Sequence, residues 1–164
     1  MLANGATLGY RRKGAQGNYT ILKGIKEIPE LGDDPEKVDN TGLADKQKQY
    51  EYGIGDAGEL TYKFKYENTS EDSPYRVMRK AAAAREVLSF CETLPDGTKY
   101  EYDAQVAVKR TGGGVNGVIE WNLNMALQSE ISVTDPGEEA GGATDTETGE
   151  SEPELTPEGE EETA

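Results

Sequence analysis

The residues with reactive side chains are few and poorly spaced for catalysis. The chain of 164 residues has no His and a single Cys. No His-based triad, His/Cys zinc cage or CxxC redox pair can therefore be built from its own side chains. Cys91 stands between Ser89 and Thr93 with no base near it in sequence, which describes a passive thiol. Carboxylate pairs offer acid–base or calcium chemistry, and Glu101 with Asp103 and Asp33 with Asp34 are the nearest candidates. Neither has the D-x-[DN]-x-[DN]-G spacing of a calcium loop, and the first pair falls on successive outward positions of a strand, where a solvated face is the simpler reading. The run Gly112-Gly113-Gly114-Val115-Asn116-Gly117 has the glycine content of a phosphate loop. It lacks the Lys-Ser/Thr that should follow and leads into a strand, so it reads as a hairpin connection. Arg11-Arg12-Lys13 is a short positive patch without the broad basic footprint of a nucleic-acid binder. These residues predict no enzyme, no cofactor and no metal site.

Charge divides the chain in two. Of 32 acidic residues, twelve lie from Asp135 to Ala164, a stretch without Lys, Arg or any aromatic residue. The remainder holds 20 acids against all 17 bases and is nearly balanced. The expected domain is therefore residues 1–134, followed by an acidic tail, 135–164, whose five Gly, three Pro and unopposed carboxylates predict disorder. No segment approaches the ~18 to 20 apolar residues of a membrane span. The opening MLANGATLGYRRKG places its basic residues after a short mixed stretch, unlike a signal peptide. One cysteine permits no disulfide within the chain, which fits a reducing compartment of synthesis or an assembly that never needed oxidation.

The elements that must position these residues are mostly strands. ELTYKFKY, residues 59–66, sets Leu60, Tyr62, Phe64 and Tyr66 on one face and Thr61, Lys63 and Lys65 on the other, the period of a half-buried strand. Ser73 followed by Pro74 and an alanine-rich run predicts a helix over about 74–84, with Ser73 capping its free amides and Tyr75, Met78 and Ala82 turned inward. Pro95-Asp96-Gly97 predicts a tight hairpin, the Asp-Gly pair supplying positive φ angles. In its return strand Tyr100, Tyr102, Ala104, Val106 and Val108 alternate with polar residues. After the glycine run, Ile119, Trp121, Leu123, Met125 and Leu127 do the same. ATLGYRRK and NYTILKGIKEI predict two earlier strands joined through Gly14 to Gly17. Residues 29–58 form a connection far longer than the usual ~4 to 6 residues, so a functional or disordered loop is expected there. Trp121 and most of the nine tyrosines fall on the apolar side of strands and read as core.

The stretch VDNTGLADKQKQYEYGIGDAGEL resembles a signature of the tail tube proteins, or major tail proteins, of long flexible-tailed bacteriophages. In that family an Asp-x-Thr-x-x-x-Asp element is followed by an aromatic residue and a Gly before an alternating strand. The matching positions are Asp39, Thr41, Asp45, Tyr50 and Gly53. The order of parts agrees as well, from two early strands through the long loop, a strand, one helix and closing hairpins. The resemblance covers about residues 1 to 135. Relatives that stop there or append an immunoglobulin-like module leave the acidic tail unaccounted for.

The resemblance implies a mainly β fold, a small β-sandwich with one flanking helix, a long inter-strand loop and the acidic tail. It implies hexameric rings stacked into a hollow tube through which the genome passes into the host without specific binding. The chain would be made in the bacterial host cytoplasm and end in the virion tail, with no membrane role. Its partners would be copies of itself and the tape measure, distal tail and terminator proteins. Open sheet borders would be completed by neighbouring copies. The long loop would reach the next ring, with Asp39, Thr41, Leu43, Asp45, Tyr50, Tyr52 and Ile54 as stacking candidates. A conduit for a polyanion needs a neutral or acidic wall, so the polar faces carrying Glu101, Asp103, Gln105, Glu120, Asn122 and Asn124 are the lumen candidates. The tail, roughly 100 Å if fully extended, would project outside. The competing expectations are a single-ring head-tail joining or tail-terminating protein, and a non-viral β-sandwich that binds a ligand as a monomer.

Overall fold

The computed structural model describes residues 1–138. Ten strands and one helix occur there, in the order β1 (Thr7–Arg12), β2 (Thr20–Ile21), β3 (Ile25–Glu27), β4 (Lys37–Asp39), β5 (Tyr50–Tyr52), β6 (Leu60–Lys65), α1 (Pro74–Ala84), β7 (Val87–Thr93), β8 (Lys99–Arg110), β9 (Glu120–Leu127) and β10 (Ser132–Thr134). Eight strands make one antiparallel sheet, in the path β2-β1-β7-β8-β9-β6-β3 with β10 also on β8, while β4 and β5 pair only with each other. The fold is mainly β with one flanking helix, as the alternation and the single alanine-rich run predict.

Period-two patterning builds the core. Tyr62, Phe64, Phe90, Tyr102, Trp121, Leu123 and Met125 are all buried within one cluster. Phe64 and Trp121 stack at 4.6 Å between ring centroids, and Tyr75 of α1 meets Trp121 edge-on at 5.8 Å. Tyr62 on β6 also touches Glu92 on β7, three strands away along the path. Such a contact requires the sheet to fold over so that its inward faces sandwich a common interior.

The two ends of the sheet are joined by a short seam. NYTILKGIKEI, expected as one strand, is split at Leu22–Gly24 into β2, which extends β1, and β3, which extends β6. The Leu22 amide donates to the Leu8 carbonyl at 2.8 Å, and the Gly24 carbonyl accepts from the Lys65 amide at 2.8 Å. Gly24 has φ of 87°, a conformation glycine adopts without a Cβ clash, and this lets the chain step from one end of the sheet to the other. The segment thus flanks β1 at one end of the path and β6 at the other, while β2 and β3 themselves pair on one side only.

A different border is open. β8 is paired with β7 only as far as Gln105 opposite Val87. Pairing of Leu94 with Thr98 sets the even-numbered residues of β8 toward β7, so Val106, Val108 and Arg110 turn their amides and carbonyls to the side where β7 has ended. Among the described residues no backbone hydrogen bond reaches these groups from that side.

Local geometry departs from the sequence reading at two turns. Helix α1 has the predicted bounds, with Met78 and Ala81 buried and Tyr75 and Ala82 half-buried. Its Ser73 hydroxyl does not cap it, accepting instead the amides of Thr69 and Ser70 at 3.1 and 3.0 Å. The β7–β8 hairpin sits where predicted, but Gly97 alone takes a positive φ, 96°. Asp96 accepts the Thr98 amide at 3.0 Å, bracing the turn without entering the left-handed region. Hydrogen bonding from the Thr98 amide, and then from its hydroxyl, lowers the Asp96 pKa. Asp135 and Glu138 close a further turn, and the disorder expected of the acidic tail falls almost wholly outside the described residues.

Candidate functional site

The long connection over 29–58 contains a folded arm. Lys37, Val38 and Asp39 pair with Tyr52, Glu51 and Tyr50. The Asp-x-Thr-x-x-x-Asp element closes this hairpin. Asp39 accepts both the amide of Thr41, at 3.0 Å, and its hydroxyl; the Thr41 hydroxyl in turn accepts the Gln49 amide at 3.0 Å. Asp45 accepts the Gly42 amide at 2.8 Å. The carboxylates and hydroxyl thus satisfy donors at a tip where no sheet ladder exists. At the base, Gly53 donates to Glu36 at 2.7 Å and Asp34 to Asp56 at 3.0 Å.

The seven stacking candidates all belong to this arm, and it offers apolar surface to solvent. Leu43 and Ile54 are fully exposed, Tyr52 is 72% exposed, and Val38 and Tyr50 are about half exposed. A free two-stranded hairpin is marginal in water, and clustered exposed apolar side chains mark an interaction surface. Val38 lies next to the motif and not within it, so the signature does not mark it. Val115, Val118 and Ile119, exposed along the glycine-rich connection, form a smaller apolar group that alternation assigned to turn and core.

The six lumen candidates all point outward, yet they form two patches. The first lies on the leading half of β8. Glu101 accepts the Tyr19 hydroxyl at 2.9 Å, Asp103 accepts the Ser89 hydroxyl at 2.6 Å and lies 3.9 Å from Lys13, and Gln105 reaches the Arg85 carbonyl at 3.4 Å. Burial and the Glu101 bond push the Tyr19 phenol up to about 12. Cys91 is buried nearby, and burial raises its thiol pKa, so it is a poor nucleophile at neutral pH.

The second patch spans β6, β9 and the far half of β8. Asn122 lies between Lys63 and Lys109 in one cross-strand row. Asn124 accepts the Thr61 hydroxyl at 3.2 Å, and Glu120 pairs with Lys26. Lys65 lies opposite Glu120, and Lys63 is 2.6 Å from Glu27. Glu120, Asn122 and Asn124 are therefore set among lysines, an arrangement that depends on strand order and is invisible in any one segment.

An arm whose strands pair only with each other among the described residues, together with an open strand border on β8, describes a protein made to be completed by contacts with other molecules. The chain belongs to the phage tail tube protein family (TTP), whose family model matches residues 15–136. It is a component of the virion tail, and the family is structural, not enzymatic. Solved structures share the fold. A chain of the anti-feeding prophage baseplate, six-fold symmetrised, superposes with a TM-score of 0.62 at 12% identity, covering 79% of this chain and 92% of that one. A chain from the tail of an empty gene transfer agent particle, refined helically with C6 symmetry, gives 0.61 at 20% identity, covering 78% and 94%. A chain of the native gene transfer agent virion gives 0.59 at 18%, covering 79% and 95%. No curated protein matches the sequence.

Proposed function

We propose that six copies close into a ring, that rings stack into a hollow tube, and that the genome travels through its bore. The projecting β4–β5 arm is the observation that carries this reading. Its exposed Leu43, Tyr50, Tyr52 and Ile54 reach the adjacent ring, while Asp39, Thr41 and Asp45 hold the tip in shape for that contact. Within a ring, the open border of β8 at Val106, Val108 and Arg110 takes backbone from the neighbouring copy, a head-to-tail contact that six-fold rotation closes. The six-fold symmetry of the anti-feeding prophage baseplate and of the gene transfer agent tail, both of the same fold, supports the ring number.

The bore is lined by the leading half of β8, where the carboxylates of Glu101 and Asp103 offset Arg11, Lys13 and Lys99 and Gln105 is neutral. Lysine-bearing walls bind phosphates by counterion release. For that reason the patch holding Glu120, Asn122 and Asn124 is turned away from the bore. Tape measure protein inside the tube, and distal tail and terminator proteins at its ends, complete the assembly.

Electron microscopy of the purified full chain tests the proposal. Tubes with six-fold end views are expected, and Y50S/Y52S is expected to leave rings that no longer stack. A monomer at high concentration, or tubes indifferent to these substitutions, would overturn it. Closed rings that never lengthen, even in the unsubstituted chain, would favour a terminating or head-tail joining role.

A further inference from the structure

Residues 139–164 contain ten carboxylates and neither Lys nor Arg. The outward face of β6, β9 and the far half of β8 has the complementary charge. There Lys26, Lys63, Lys65 and Lys109 gather around Glu27 and Glu120, with Asp56 and Glu59 at the end of the face beside Asn124, and Lys65 and Lys109 are exposed with no acidic partner within 4 Å among the described residues. Asn122, between Lys63 and Lys109, leaves its side-chain oxygen buried without a donor.

We propose that the segment 139–164 lies along this lysine face of its own copy. The described chain ends where Pro136 rests against Gly97, at the tip of the β7–β8 hairpin. From Lys99 to Lys109 the strand advances roughly 33 Å, and 26 extended residues span roughly 90 Å, so the face is within reach. Each exposed ion pair contributes little alone. The contact therefore gains strength from many weak pairs that exchange along the row, and salt weakens it. Its consequence is protective, because lysines engaged by the chain's own carboxylates are withheld from nucleic acid. The contact lies within one chain, so it stands or falls separately from ring and tube formation.

Carbodiimide coupling of the full chain, dilute and at low salt, followed by peptide mass spectrometry, is the test. Amide links from tail carboxylates to Lys65 and Lys109 are expected several-fold more often than to Lys46 and Lys48, which are equally exposed at the arm tip. Molar salt should abolish the preference. Equal linkage to all four lysines would overturn the proposal, as would links that join an isotope-labelled copy to an unlabelled one. A full-length variant with the tail carboxylates changed to amides should retain a short DNA duplex that the parent releases. Identical retention by both would equally count against it.

Discussion

The hydroxyl groups of Tyr62 and Tyr102 stand 2.7 Å apart in the core, and Tyr62 also hydrogen-bonds the buried carboxyl of Glu92. Tyr102 faces the Met125 sulfur at 3.3 Å on its other side. Strand β7 opposes Leu8 and Tyr100 to Glu92, and no Lys or Arg lies in salt-bridge contact with it among the described residues. Burial raises its pKa, and the Tyr62 bond only partly offsets this. Since the folded-state pKa exceeds the unfolded one, stability is fully present below the unfolded value of about 4.5. It declines as pH rises through the folded value. Glu92→Gln keeps an acceptor for Tyr62 and removes the charge, so its urea midpoint should fall less between pH 5 and pH 8 than that of the parent. An equal fall in both proteins would place the pH dependence elsewhere.

Trp121→Ala should cost about 3–5 kcal/mol, because the indole stacks on Phe64, meets Tyr75 edge-on and donates to the Lys65 carbonyl at 3.1 Å. Denaturant unfolding of dilute protein measures this. A loss below about 1 kcal/mol would show that the site collapses around the gap.

Tyr52→Ser should leave the unfolding midpoint of unassembled protein within about 0.5 kcal/mol of the parent, since the side chain is 72% exposed. Tube yield by sedimentation should drop sharply. A stability loss that matched the assembly loss would mean that the residue supports the fold of its own copy.

Asp39→Ala should loosen the arm without touching the body. The carboxylate accepts from both the amide and hydroxyl of Thr41, and losing such a bond costs about 1 kcal/mol. Hydrogen exchange should quicken at Thr41 and Gln49 while Phe90 and Leu123 keep their protection.

Glu101→Lys should slow genome delivery while tubes still form, and Glu120→Lys, on the lysine-bearing patch, should have little effect on delivery. Infection by particles carrying each variant, scored beside micrographs of their tails, separates the two walls. Equal slowing by both would place both patches in the bore.

Strand alternation and helix chemistry were legible because they are local: β6, the bounds of α1 and the inward residues of β8 and β9 follow from spacing alone. Chain tracing beyond one segment was not. Nothing in NYTILKGIKEI marks Gly24 as the point where pairing passes from β1 to β6, since that depends on where those strands end. The pairing of Lys37–Asp39 with Tyr50–Tyr52 joins two three-residue runs too short to alternate visibly. The lysine row appears only once β6 and β8 are seen flanking β9. Ser73 had the right type and place for a cap, but the preceding turn offered the amides of Thr69 and Ser70 first. The family signature falls on this arm but gives no hint of its hairpin.

The seam at Leu22–Gly24 makes the body a clasped band. β1 and β6 cannot peel away one at a time, because three residues tether their outer flanks, and freeing either one drags at the other. Partial opening is thereby discouraged, so in the proposed tube a subunit would reach its neighbours with its apolar interior covered. A nick between Lys23 and Gly24 should undo that clasp and turn one sharp melting transition into two.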